Sequence, residues 1–200
     1  MSRLLYSILD CSLLIRFSTE FNFRFSIQHF RIFDWRQILI TQNHKMKNNL
    51  EALLNQLEHH ILNCELINLQ VSQSTVGWQI EHSLLTINGI VSAVQKSNPK
   101  DYNWKFSLMK LVVLATKKIP RGKAKAPKVV VPKALINNED LQEHLSKTRD
   151  AIKALEVVSK DHFFEHPYFG KLKLKETIRF LEIHTGHHLN IIEDIVNNKY

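Results

Sequence analysis

LKETIRFLEIHTGHHLNIIEDIV, at residues 174–196, is the most regular stretch of the chain, because its apolar residues recur with the three-four spacing of an amphipathic helix. The apolar stripe of this predicted helix contains Leu181, Ile191 and Ile195. His184 and His188 fall at the centre of the same stripe, and His187 lies at its edge. Side chains four residues apart share one helix face. The stretch therefore predicts a core-facing pair of imidazoles.

Such a pair indicates a metal site. A buried imidazole without a partner costs about 1–3 kcal/mol, and a metal satisfies both rings at once. The alternative is that each ring bonds a neighbouring carboxylate or carbonyl group. A third candidate, His82, lies in an amphipathic segment far upstream of His184 and His188. Three neutral nitrogens and one open position are typical of a reactive metal site rather than a structural one.

The rest of the chain after residue 45 is patterned in the same way. Helices are predicted over about 48–70, from the capping residues 72–75 to about 96, over 104–118 for a shorter apolar helix, and from the cap at 137–140 onward, with a turn at 166–170 before the last helix. The predicted fold is all-α, a four-helix bundle with one short extra helix and a basic crossover loop between its second and third long helices.

Residues 1–45 differ from the remainder. They hold six of the eleven Phe residues with no helical or strand period, and no clear cleavage site for a signal peptide follows. We expect these residues to be a poorly ordered extension or an over-extended reading of the chain. The bundle domain is then expected to cover 46–200.

The chain carries a net charge of +8, which invites a nucleic-acid hypothesis. The excess is local, because the segment 105–133 holds nine Lys and Arg residues and no acidic residue. A basic loop is weaker support for nucleic acid than a basic face, so we rank this partner last and expect none. Cys11 and Cys64 form no metal, redox or disulfide spacing, which favours a cytoplasmic protein. No apolar run is long enough to span a membrane, and no membrane partner is expected.

The surroundings of His82 and of the remaining histidines leave alternatives open. His82 shares a face of the second helix with Trp78 and Gly89, and Gly89 would leave space for a ligand, unless His82 faces solvent. His60 either supports the metal ligands or is an ordinary core residue. His166 either lines the mouth of the bundle or serves the turn. The histidines that the pattern places on the surface are His59, His144 and His162.

Three segments carry a resemblance to a known family: GWQIEH at 77–82, HPYFGKL at 166–172 and FLEIHTGHHL at 180–189. Through them the chain resembles, over 48–196, the DinB-like superfamily of metal-binding four-helix bundles, and more narrowly one of its uncharacterised bacterial domain families. In that superfamily a histidine of the second helix and an i, i+4 pair of the last helix bind a divalent metal. The resemblance thus implies that His82, His184 and His188 are the ligands and that His187 is a non-ligating neighbour.

The function implied by the resemblance is metal-dependent chemistry on a small molecule, either transfer of a low-molecular-weight thiol or hydrolysis. Histidine-only ligation suits zinc, nickel, iron or copper, and manganese is a further candidate metal. Arg121 and Lys123 of the basic loop are expected to hold an acidic cosubstrate, unless the loop is only a solvated crossover. The alternative function is a non-catalytic module that binds or senses a metal or small molecule. Related bundles often form dimers, so a homodimer is also expected.

Overall fold

The computed structural model describes residues 48–122, 126–132 and 136–197, and the predicted extension at 1–45 lies outside them. This part of the chain is mostly helical. The helices are α1 (48–59), α2 (Val76–Lys96), α3 (Leu108–Thr116), α4 (Asn138–Ala154) and α5 (Leu174–Val196). Between α4 and α5, strands β1 (Phe163–His166) and β2 (Gly170–Lys173) form an antiparallel pair. None of the described helices combines the length and the apolar character needed to cross a bilayer.

Helix α2 lies at the centre of the core. Its first turn is capped by Thr75, whose Oγ1 accepts a hydrogen bond from the N–H of Trp78 at 3.1 Å. The apolar stripe of α2 is buried along its whole length: Val76, Ile80, Leu84, Ile87, Val91 and Val94. This helix contacts both α4 and α5, and α1 adds Leu50, Leu54 and Leu57 to the same core. The arrangement places the buried faces of α2 and α5 against each other.

The first helix is shorter than predicted. It ends at residue 59, and a 3₁₀ turn follows at Ile61–Asn63. The carbonyl oxygens of Cys64 and Leu66 accept hydrogen bonds from the N–H groups of Gly77 and Val76 at 2.8 and 2.9 Å. These carbonyls fasten the connection to the start of α2, so the chain turns instead of continuing the helix. The apolar spacing misled because Ile61 and Cys64 remain buried after the helix has ended.

Replacement of Gly77 by Ala is expected to destabilise the protein by about 1–3 kcal/mol, although Ala favours helices over Gly. A Cβ atom at Gly77 would lie 3.0 Å from both the Cβ and the carbonyl oxygen of Cys64. Gly89→Ala in the same helix is the control, because a Cβ there meets nothing within 4 Å and is expected to stabilise the helix by about 0.5–1 kcal/mol. Urea unfolding measures both. Equal stabilisation by the two changes would contradict the close packing at Gly77.

The prediction of a purely helical fold was wrong at the β1–β2 hairpin. The expected turn at 166–170 exists, but it joins two paired strands in which His166 lies opposite Gly170. Nδ1 of His166 accepts hydrogen bonds from the N–H groups of Tyr168 and Phe169 at 3.1 and 3.3 Å. Gly170 has φ +71°, which favours glycine. Each strand has only four residues, too few for alternation to be recognised in the sequence.

Helix α3 is also shorter than the predicted 104–118. Ser107 caps it, because its Oγ accepts a hydrogen bond from the N–H of Lys110 at 3.2 Å, and the residues before it are not helical. The helix ends at Lys117, whose φ of 58° lies in the left-handed region. Nζ of Lys110 reaches Oε1 of Glu176 at 3.2 Å, which ties α3 to the first turn of α5.

Candidate metal centre

Three histidines from two helices meet between α2 and α5. His82 comes from α2, and His184 and His188 lie one turn apart on α5. Their candidate ligand atoms all lie within 4.8 Å of one another, and the ring centroids are 4.6 to 5.3 Å apart. A tetrahedral cation about 2.1 Å from each nitrogen would set the nitrogens about 3.4 Å apart. The rings therefore lie close enough to bind one metal ion after small side-chain rotations.

His188 is oriented by a glutamine on the neighbouring helix. Its Nδ1 lies 2.7 Å from Oε1 of Gln79, and Nε2 of Gln79 in turn donates to Oγ of Ser72 at 3.1 Å. An amide oxygen only accepts hydrogen bonds, so Nδ1 of His188 carries the proton and Nε2 keeps a free lone pair. Gln79 is buried. Such a partner on the far nitrogen fixes the tautomer and the orientation of a metal-ligating histidine.

His82 has a similar partner, supplied by the crossover between α3 and α4. Its Nδ1 donates to the carbonyl oxygen of Val130 at 2.8 Å. Val130 belongs to a 3₁₀ helix, Lys128–Val130, in that crossover. The indole of Trp78 stacks on the His82 ring, with centroids 4.9 Å apart and planes 10° from parallel. Since His82 is buried, the alternative of a solvent-facing ring was wrong.

His184 differs from the other two because its Nδ1 is buried and has no hydrogen-bond partner among the described residues. Burial, helped by the nearby His82 and His187, lowers the pKa of His184 to about 3. Burial also lowers the pKa of His82 and brings the pKa of His188 well below 6.5. The three rings are therefore neutral at pH 7, which is the form that binds metals. The partnerless nitrogen of His184 and the donor set both fit a divalent cation.

His187 lies beside the three converging rings. Its ring meets that of His188 edge to face, with centroids 5.2 Å apart. Burial, and then the positive charge of Arg121, lowers the pKa of His187. His187 does not belong to the group of converging ligand atoms. This position agrees with the non-ligating role that the resemblance implies.

The structure places His166 in the hairpin turn, where burial lowers its pKa to about 4. Its ring stacks on Phe169, with centroids 4.0 Å apart, and meets Phe180 at 4.7 Å. Phe180 in turn lies 5.7 Å from the ring of His184. His166 thus serves the turn, and Phe180 lies between its ring and that of His184.

Two other predicted residues lie away from the three rings. Gly89 is exposed, and among the described residues no atom lies within 4 Å of a Cβ built there, so the space beside it is open and its predicted role stays a prediction. His60 is partly buried, and burial lowers its pKa while the nearby Glu193 opposes that shift. Among the described residues, no contact joins His60 to the three rings. No contact among the described residues therefore supports the role of His60 beside the metal ligands.

A cleft of about 390 Å³ adjoins the metal centre on the side of His187. Its lining includes the side chains of Lys117, Lys118, Arg121, Arg179, Glu182 and His187. Arg121, predicted to contact an acidic ligand, is held at this cleft by Asp194, whose Oδ2 accepts from its Nη2 at 2.6 Å. Lys123, the other predicted contact, lies outside the described residues. The cleft is therefore cationic, and His187 forms the wall that it shares with the metal centre.

The sequence prediction missed the partners of the ring nitrogens. Gln79 stands three residues before His82, but nothing in the pattern separates it from an ordinary helix glutamine. Val130 acts through its backbone carbonyl, for which a sequence carries no signal. His144, predicted to be on the surface, is partly buried, and its Nδ1 lies 2.8 Å from Oε2 of Glu81. Asn88 occupies the other ring nitrogen of His144 at 2.8 Å, so this network is satisfied within the protein.

Replacement of Gln79 by Met is expected to weaken metal binding by about tenfold to a hundredfold, because His188 loses the acceptor that fixes its tautomer and ring orientation. The dissociation constant for Zn²⁺ is measured by competition with a chromophoric chelator. Gln95→Met, an exposed change in the same helix, is the control and should leave the constant unchanged. Equal affinity of the Gln79→Met protein and the unchanged protein would show that this hydrogen bond does not serve the site.

Comparison of the chain with known protein families, with curated proteins and with solved structures gave no match.

Proposed function

We propose that this protein binds a divalent metal through His82, His184 and His188 in a DinB-like four-helix bundle, and that it acts as an enzyme on a small molecule. The single observation that carries the proposal is the convergence of these three neutral imidazoles between α2 and α5. Two of them have their far nitrogens engaged by Gln79 and Val130, as metal-ligating histidines usually do. The proposed reaction is transfer of a low-molecular-weight thiol, with hydrolysis as the other enzymatic form.

The protein's own residues would prepare such a reaction in two ways. Gln79 and Val130 hold two ligands in the tautomer that leaves Nε2 free. Trp78 covers one face of His82 and excludes water from it. A metal bound here would act as a Lewis acid that lowers the pKa of a thiol or water joining it at the open position.

The cationic cleft supports an acidic cosubstrate. Lys117 and Lys118 are exposed and have no ion-pair partner among the described residues, whereas Arg121 and Arg179 are paired with Asp194 and Glu182. A carboxylate or phosphate group can therefore pair with the two lysines. Through His187, such a group would lie next to the metal ligands.

The non-catalytic alternative, a metal-binding or sensing module, is favoured by one observation. Among the described residues, no carboxylate forms a hydrogen bond with any of the three rings, so no general base is evident at the site. Turnover would then depend on the thiol itself and on the metal.

A screen of metal-loaded protein with several thiols and electrophiles tests the proposal, after elemental analysis of the purified protein has identified its metal. We expect thiol transfer that is lost on chelation and restored by the metal. Lys118→Ala is expected to raise the KM for an acidic thiol about fivefold with little change in kcat. Lys147→Ala, which changes a lysine paired with Glu143 elsewhere, is the control. Persistent inactivity of the metal-loaded protein would favour the binding module, and absence of metal binding would overturn both.

A further inference from the structure

Helix α3 and the residues before it expose an unusual amount of apolar surface. Six large apolar side chains, which we call the α3 apolar face, are each 49% to 69% exposed: Trp104, Phe106, Leu108, Met109, Leu111 and Val112. Monomeric proteins in water rarely expose a contiguous apolar patch of this kind unless it binds something.

The helical period shows that this exposure belongs to one side of α3. Val113 is buried, Leu114 packs against the core, and Lys110 on the same side pairs with Glu176, so the inner side of the helix is already covered. Leu108, Leu111 and Val112 lie on the opposite side, within about 100° of arc. An apolar stripe on the second side of a helix is normally buried against another element or a partner. The outer side of α3 therefore lacks its cover among the described residues.

The charged side chains of the segment that carries the face are all of one sign. Residues 102–138 contain no Asp or Glu, and the exposed lysines of the described part of this segment are Lys105, Lys117, Lys118 and Lys128. None of these four lysines forms an ion pair there, in contrast to Lys110 and Arg121. The apolar face is thus flanked by unneutralised positive charge, and its partner must carry negative charge.

We propose that the α3 apolar face rests on an anionic lipid bilayer surface, with its aromatic and aliphatic side chains at the headgroup boundary and the flanking lysines against acidic headgroups. This combination of Trp, Phe, Leu and Lys suits a helix that lies in the interface plane rather than one that spans the bilayer. A second copy of the chain fits less well. An α3–α3 contact would bring like-charged lysines together without any acid to pair with them.

The expectation of no membrane partner was based on the lack of a spanning segment, and a contact in the plane of the surface needs no such segment. None of the three converging histidines belongs to the α3 apolar face, and this face shares only the flanking Lys117 and Lys118 with the cationic cleft among the described residues.

Vesicle flotation of the full-length protein tests the proposal. The protein is mixed with vesicles of phosphatidylcholine alone or with vesicles containing about 30% phosphatidylglycerol. We expect flotation with the anionic vesicles at low salt and much less with phosphatidylcholine alone. High salt should release the protein, because surface charges are then screened.

Matched variants separate the α3 apolar face from apolar exposure in general. Combining Trp104→Ala with Phe106→Ala is expected to lower partitioning at least about tenfold. Combining Leu62→Ala with Val157→Ala removes two apolar side chains that are 83% and 92% exposed elsewhere, and should leave partitioning unchanged. Lys105→Gln is expected to lower partitioning about fivefold, and Lys160→Gln should have no effect.

Absence of flotation with anionic vesicles would overturn the proposal, and so would equal loss of binding in the control variants. Analytical ultracentrifugation gives the remaining outcome. A dimer that Leu111→Glu dissociates, without any vesicle binding, would assign the α3 apolar face to a second copy of the chain instead.

Discussion

Addition of Zn²⁺ to the metal-free protein is expected to raise its unfolding temperature by about 5–10 °C, and His184→Leu should abolish this rise. A ligand at about a hundred times its dissociation constant stabilises the folded state by about 2.7 kcal/mol, which in a chain of this size corresponds to that shift. The stabilisation requires folding, because His82 and His184 lie far apart in the sequence and meet only between α2 and α5. Differential scanning fluorimetry with and without metal measures it.

In the absence of metal, His184→Leu is expected to stabilise the protein. Nδ1 of His184 is buried and finds no partner in the part of the chain that the structure describes. An apolar side chain of similar size removes that penalty and is expected to stabilise the metal-free protein by about 1 kcal/mol. His59→Gln, a change at an exposed histidine, is the control for both measurements. Metal-dependent stabilisation that persists in the His184→Leu protein would place the metal elsewhere.

Acid is expected to unfold the metal-free protein between about pH 6 and pH 4. Burial lowers the pKa of His166 to about 4 and that of His184 to about 3, from an ordinary value of 6.5, and it lowers the pKa of His82, His187 and His188 as well. The unfolded chain therefore takes up protons before the folded chain does. Stability is complete above about pH 6.5 and falls by about 1.4 kcal/mol per pH unit for each such histidine until the folded pKa is reached.

Circular dichroism during acid titration, in the presence of a chelator, measures this transition. His184→Leu removes one of the contributing groups, so its midpoint should move to lower pH, whereas His59→Gln should leave the midpoint unchanged. A protein that stays folded with constant urea stability down to pH 4 would contradict the neutral burial of these rings.

The helices that the sequence predicted best are those whose ends carry local chemistry. Thr75 caps α2, Asn137 caps α4, and the predicted bounds of α5 match the structure. The errors lie where contacts between residues distant in the sequence determine the local structure. The end of α1 depends on the N–H groups of Gly77 and Val76, and no window of sequence around residue 59 contains them. The hairpin similarly depends on pairing between strands that are too short to show a period.

The cluster of His82, His184 and His188 was predictable to the extent that side-chain identity and helical spacing define it. His184 and His188 follow from the i, i+4 spacing, and the addition of His82 came from the apolar character of its helix face together with the resemblance. The hydrogen-bond partners of the histidines were not predictable, because they depend on how the helices and the crossover pack. Val130 contributes a backbone carbonyl, and the role of Gln79 requires α2 and α5 to be packed at a particular register.

The hydrogen bond from His82 to Val130 joins the buried histidine cluster to the basic crossover between α3 and α4. The proton that holds the Val130 carbonyl is the same proton that leaves the other nitrogen of the ring free. Flipping the His82 ring would thus break the hydrogen bond to Val130 and turn the free nitrogen away from the other two histidines. The tautomer of His82 therefore couples the histidine cluster to the position of the crossover between α3 and α4.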